Sequence, residues 1–75
     1  MTTYGEHAVG LSFNPSSDDK VHELKSLYAK IIDICAGLRA EESFSPEKKR
    51  LFSIAITEAQ TAQMWAVKAV TWKDL

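Results

Sequence analysis

From Val21 onward, apolar residues return at alternating intervals of three and four: Val21, Leu24, Tyr28, Ile31, Cys35 and Leu38, with Leu27, Ile32 and Ile34 widening the stripe. That rhythm is the buried face of an amphipathic helix. Ser16-Ser17-Asp18-Asp19 marks its start, hydroxyls that can cap free N–H groups followed by carboxylates favoured at the positive helix end. Gly37 costs about 1 kcal/mol inside a helix, which places the end near Arg39 to Glu42. Ser45-Pro46-Glu47 restarts the chain, with serine at the cap and proline in the first turn, and a second helix is predicted from there to about Thr71. On it Phe52, Ala55, Ala59, Ala62, Ala66 and Ala69 keep the same rhythm with small side chains. Such a seam lets two backbones approach closely and is expected to pack on the first helix. A connection of about five residues makes the helices antiparallel. Residues 1–15, with Gly5, Gly10 and Pro15 and no sustained periodicity, read as an extended N-terminal arm. Residues 16–75 read as an all-α, antiparallel two-helix hairpin domain, roughly 35 Å long at 1.5 Å rise per residue.

The seam leaves apolar residues over. Leu51, Ile54, Trp65 and Trp72 lie on one flank of the second helix, and Ile56, Met64, Val67 and Val70 on others. One internal seam cannot cover them all, and aromatic and Met-rich flanks left exposed belong to interfaces. An arm folded back would hide only part of them. Size points the same way, because a chain of 75 residues rarely buries enough apolar surface to stand alone without disulfides, metal or self-association. The single Cys35 has no partner in its own chain, and His7, His22 and one thiol match no zinc spacing. A homo-oligomer is therefore expected, with no metal and no cofactor.

Nine Lys and Arg against ten Asp and Glu leave no global positive field, which argues against a polymeric nucleic acid as partner. No apolar run approaches the roughly 18 residues of a membrane span, so no membrane partner is expected. The first residues lack the basic start and apolar stretch of a signal peptide. A reducing cytoplasm is the expected compartment. No catalytic set is apparent. Cys35 lies on the apolar stripe as a small core residue, His22 is off it, and Glu41-Glu42 do not face each other on a helix. Three glycines form no phosphate loop.

Binding fits better than catalysis. Lys48-Lys49-Arg50 occupies the first turn of the second helix, where cations oppose the dipole. At the other end, antiparallel packing brings Lys20 and Lys25 near Lys68 and Lys73, close to Phe13, Tyr28 and Trp72. Ammonium groups beside flat aromatic faces suit a small ligand that combines phosphates with bases. A structural or adaptor hairpin gripping a protein partner is the other class left open.

Ser12-Phe13-Asn14-Pro15-Ser16, then Val21 and Glu23-Leu24-Lys25, then Ile54-Ala55-Ile56-Thr57 leading to Ala62-Gln63-Met64-Trp65-Ala66-Val67-Lys68-Ala69-Val70, resemble the small phage proteins of the anti-CBASS cyclic-nucleotide sponge family over residues 11–72. A phage sponge that counters Thoeris immunity shares their helical hairpin. The resemblance implies a homohexamer, not an enzyme, that sequesters cyclic dinucleotides and cyclic trinucleotides in the cytoplasm of the infected bacterial host. A cyclic ADP-ribose-type ligand is the narrower variant. It further implies a dinucleotide pocket between protomers, where an arm aromatic and an early lysine hold base and phosphate. Phe13 and Lys25 match these here. The separate trinucleotide site includes an arginine that matches Arg50 by its spacing to Lys68. With Asn14, Tyr28 and Lys49, these residues form the candidate ligand set.

Overall fold

The computed structural model describes residues 1–75 and contains three helices: α1 (Tyr4–Val9), α2 (Asp19–Arg39) and α3 (Pro46–Val70). The two long helices form the expected antiparallel pair. Asp18, rather than a serine hydroxyl, caps α2, its carboxylate accepting the Lys20 N–H at 2.7 Å. Ser45 caps α3 by accepting the Lys48 N–H at 3.1 Å, ahead of Pro46. The turn over residues 40–45 is closed by Phe44 stacked on Phe52, with ring centroids 6.3 Å apart. Across the pair, Arg39 donates to Ser53 Oγ at 3.1 Å.

The arm is not extended. Thr3 and Glu6 form a reciprocal capping box: the Thr3 hydroxyl accepts the Glu6 N–H, and the Glu6 carboxylate accepts the Thr3 N–H. After six helical residues the helix stops at Gly10, whose left-handed conformation (φ 62°) lets Gly10 and Leu11 donate back to the carbonyls of His7 and Glu6. So short a helix is unstable alone. It persists because Gly5 lies directly on α2, donating its N–H to Asp33 Oδ1 at 2.7 Å, and because Val9 enters the core. The hairpin domain and its arm are thus one packed body.

That core is small. Val9, Ala29, Ile32 and Ile56 form it, Ile32 being 0% exposed, while Tyr28, Cys35, Ala36 and Ala59 pack around it half-buried. The expected alanine seam is only partly used: Ala59 and Ala66 turn inward, but Ala55, Ala62 and Ala69 are exposed. The inner face of α3 instead runs through Phe52, Ile56, Ala59, Gln63, Val67 and Val70, a rotation that places Ile56 at the centre. On α2 the rotation exposes Leu27, Ile31, Ile34 and Leu38. Their four-three-four spacing makes an apolar ridge on the outside of the pair.

The Cα atoms span 50 × 29 × 12 Å. The smallest dimension is less than half the next, so the molecule is a flat slab and most side chains reach solvent on one face or the other. Eight of 75 residues are buried. No helix is long and apolar enough to cross a membrane.

Candidate functional site

Where the segment after α1 turns into α2, Asn14, Ser16 and Asp18 brace one another. Ser16 Oγ donates to Asn14 Oδ1 at 2.6 Å and accepts the Asp18 N–H, while Asn14 Nδ2 donates to the Asp18 carbonyl at 3.0 Å. Ser17 adopts the left-handed region (φ 56°) as the chain reverses. This knot holds Phe13 over the first turns of α2, where Lys25 points up at it.

Lys25 is the unusual residue. It is 5% exposed, on a helix face otherwise apolar. Its ammonium donates to the carbonyls of Gly10 (3.0 Å) and Phe13 and lies 5.6 Å from the centre of the Phe13 ring. A buried cation is tolerable only with such partners. Here they are the carbonyl of Gly10, which caps α1 where the helix dipole is negative, and that of Phe13 in the segment that follows. Of its three donors two are used, leaving one. Phe13 itself is 72% exposed. Together Phe13, Asn14, Pro15, Ser16, Val21 and Lys25, closed by Val67 of α3 and its C-cap Thr71, line an open cleft of about 260 Å³. Val67 and Thr71 belong to it only through the packing of α3.

Three of the sequence-predicted residues, Phe13, Asn14 and Lys25, therefore meet in one cleft, although the Asn14 amide commits one N–H and one lone pair to the turn. Tyr28 lies outside it, packed half-buried against the core. The remaining three are at α3. Lys49 is half-buried at the hairpin end. Arg50 is exposed and bound to Glu47 through two hydrogen bonds, at 3.0 and 2.6 Å. This pairing holds the Glu47 carboxyl below its ordinary range and raises the Arg50 guanidinium further. The pair is complete at neutral pH and is lost as pH falls through the lowered Glu47 value. Lys48 lies 3.7 Å above the Phe44 ring, so Lys48 and Arg50 of the basic run turn to different neighbours. Lys68 belongs to the opposite end, 5.2 and 5.9 Å from the ring centres of Trp65 and Trp72. Eighteen positions of helix separate it from Arg50 (68 − 50), about 27 Å at 1.5 Å each. One protomer cannot bring those two to the same ligand.

Phosphate groups and a flat base are what the cleft can take chemically, with a desolvated ammonium below and an exposed ring above. No curated protein and no solved structure matches the chain. A family model described as Acb2/Tad1, hairpin domain, matches residues 6–71, which takes in part of α1, the Phe13–Lys25 cleft and both long helices. By that match the chain belongs to the Acb2/Tad1 hairpin-domain family, sponge-type phage proteins that bind signalling molecules.

Proposed function

We propose that the chain is a phage immune-evasion protein that sequesters cyclic di- and trinucleotide second messengers of bacterial antiviral signalling, without cleaving them, in pockets between the protomers of a homohexamer in the host cytoplasm. The observation that carries the reading is the buried Lys25 ammonium beneath the exposed Phe13 ring, in a cleft of about 260 Å³. Pockets that enclose drug-sized ligands run from about 300 to 1,000 Å³. The cleft therefore covers one base and phosphate of a cyclic dinucleotide and leaves the remainder for a second copy. The ridge Leu27, Ile31, Ile34 and Leu38, with Leu51 and Ile54 on α3, supplies apolar surface for that association. A trinucleotide site that uses both Arg50 and Lys68 takes them from different copies, since one helix holds them too far apart.

Calorimetric titration with cyclic di- and trinucleotides, a solution mass, and recovery of the nucleotide after heat denaturation test this together. The expected result is saturable binding to an oligomer and intact nucleotide on release. Linear products would point to a phosphodiesterase. A lone protomer at micromolar concentration, with a melting temperature unmoved by any cyclic messenger, would leave the adaptor reading.

The Glu47–Arg50 pair adds a prediction. A phosphate that takes Arg50 must first displace Glu47. Glu47→Gln is then expected to tighten trinucleotide binding about two- to fivefold, the range of an exposed ion pair, and to leave dinucleotide binding unchanged. Weaker trinucleotide binding in that variant would mean that the pair positions the arginine for the ligand rather than withholding it.

A further inference from the structure

Trp65 and Lys68 lie three positions apart on α3, and Trp72 follows just beyond the end of the helix, where its backbone N–H donates to the Ala69 carbonyl at 3.3 Å and its ring stays beside Lys68. Both indoles are largely exposed, at 64% and 61%. They line a groove of about 440 Å³ with Lys68 and Ala69, and the groove continues past Trp65 to Met64. The Lys68 ammonium stands over both rings and makes no ion pair in the chain; the nearby Asp74 is engaged by the Trp72 indole N–H at 3.2 Å.

The charge selects the occupant. An apolar helix laid into this groove would bury the ammonium without a counter-charge, which is costly. A cationic ligand would be repelled. What fits is a molecule with a flat π-face for the indoles and an anion for the lysine. A base joined to a phosphate has both, and stacking on tryptophan accepts any base.

We propose that Trp65, Lys68 and Trp72 form a second nucleotide platform, separate from the Phe13–Lys25 cleft, on which a base stacks against indole while Lys68 holds its phosphate. This goes beyond the trinucleotide role of Lys68, because it requires neither a second copy nor a cyclic ligand.

The two tryptophans are the only ones in the chain, so their fluorescence reads the platform directly. The full chain, in its native oligomeric state, is titrated with guanosine 5′-monophosphate and excited at the red edge where the nucleotide does not absorb. Saturable quenching is expected, with guanosine weaker by about tenfold, the value of one charge-assisted contact, and no quenching by inorganic phosphate. Lys68→Met and Lys68→Gln, both at an exposed position, should weaken the monophosphate by the same factor. Non-saturable quenching, or wild-type affinity retained in both Lys68 variants, overturns the platform. So does failure of iodide to reach the indoles before nucleotide is added, which would show that another copy covers them. Quenching by the monophosphate in a protein that binds no cyclic messenger would sink the preceding function and leave the platform standing.

Discussion

Lys25→Met is expected to weaken cyclic dinucleotide binding by tenfold to about a hundredfold, the range of a hydrogen bond to a charged group. The thioether keeps most of the apolar stem, so the loss isolates the ammonium. The effect has two parts. A phosphate loses its buried cation, and the carbonyls of Gly10 and Phe13 lose the donor that ties the segment after α1 to α2. The second part is readable without ligand: amides of residues 4–17 should exchange faster in the variant, while those in the middle of α3 should not. Trinucleotide binding should survive, and Arg50→Ala should do the reverse, losing trinucleotides and sparing dinucleotides. Equal losses of both ligands in either variant would contradict two separate sites.

Gly5→Ala should be the most damaging single methyl in the chain. A Cβ there would fall far inside contact with the Ala29 carbonyl oxygen and within 2.9 Å of both the Ala29 carbonyl carbon and Asp33 Oδ1. The obstacle is helix backbone, which cannot swing aside, so α1 must lift. Overpacking of this kind costs roughly 1–3 kcal/mol, and lifting α1 also breaks the Gly5–Asp33 hydrogen bond and uncovers Val9. For a domain of this size each kcal/mol lowers the melting temperature by roughly 4–8 °C. Dinucleotide binding should fall with it, because Phe13 and the carbonyls that hold Lys25 follow α1 in the chain. Gly37→Ala is the control. Nothing lies within 4 Å of a Cβ at that helical position, and removing glycine from a helix interior should raise stability by about 0.5–1 kcal/mol. A Gly5→Ala protein that melts like the wild type would show that α1 is not docked on α2 through this glycine.

The family resemblance rested on strings inside the two long helices and the segment before them, and the family match covers those residues and reaches back into α1. Within the site, the sequence points to Phe13 and Lys25 both through the clustering of lysines near aromatic rings at one end of the hairpin and through that likeness. The burial of the lysine was not legible, because a cation on a helix is ordinarily read as solvated. Only the chain turning back over α2 at Asn14–Asp18 covers it. The arm shows the opposite case. Thr3, Glu6 and Gly10 together spell the start and stop of a helix, so a local signal was present. What masked it was the brevity of α1, too short to display a hydrophobic period. The alanine rhythm on α3 misled for another reason: α3 is apolar on several sides, and period alone does not say which side a neighbour will take.

The sequence by itself determined the two long helices, the Ser45 cap of α3, the antiparallel pairing and a surplus of apolar surface over what one seam can hide. Those properties depend on residues a few positions apart, so short-range physics decides them. The tertiary structure decided the rotation of each helix about its axis, the docking of α1 through Gly5, and the burial of Lys25 beneath Phe13. Each of these joins residues distant along the chain, and each is set by steric fit between backbones and by where an ammonium finds carbonyls, neither of which has a signature in local periodicity.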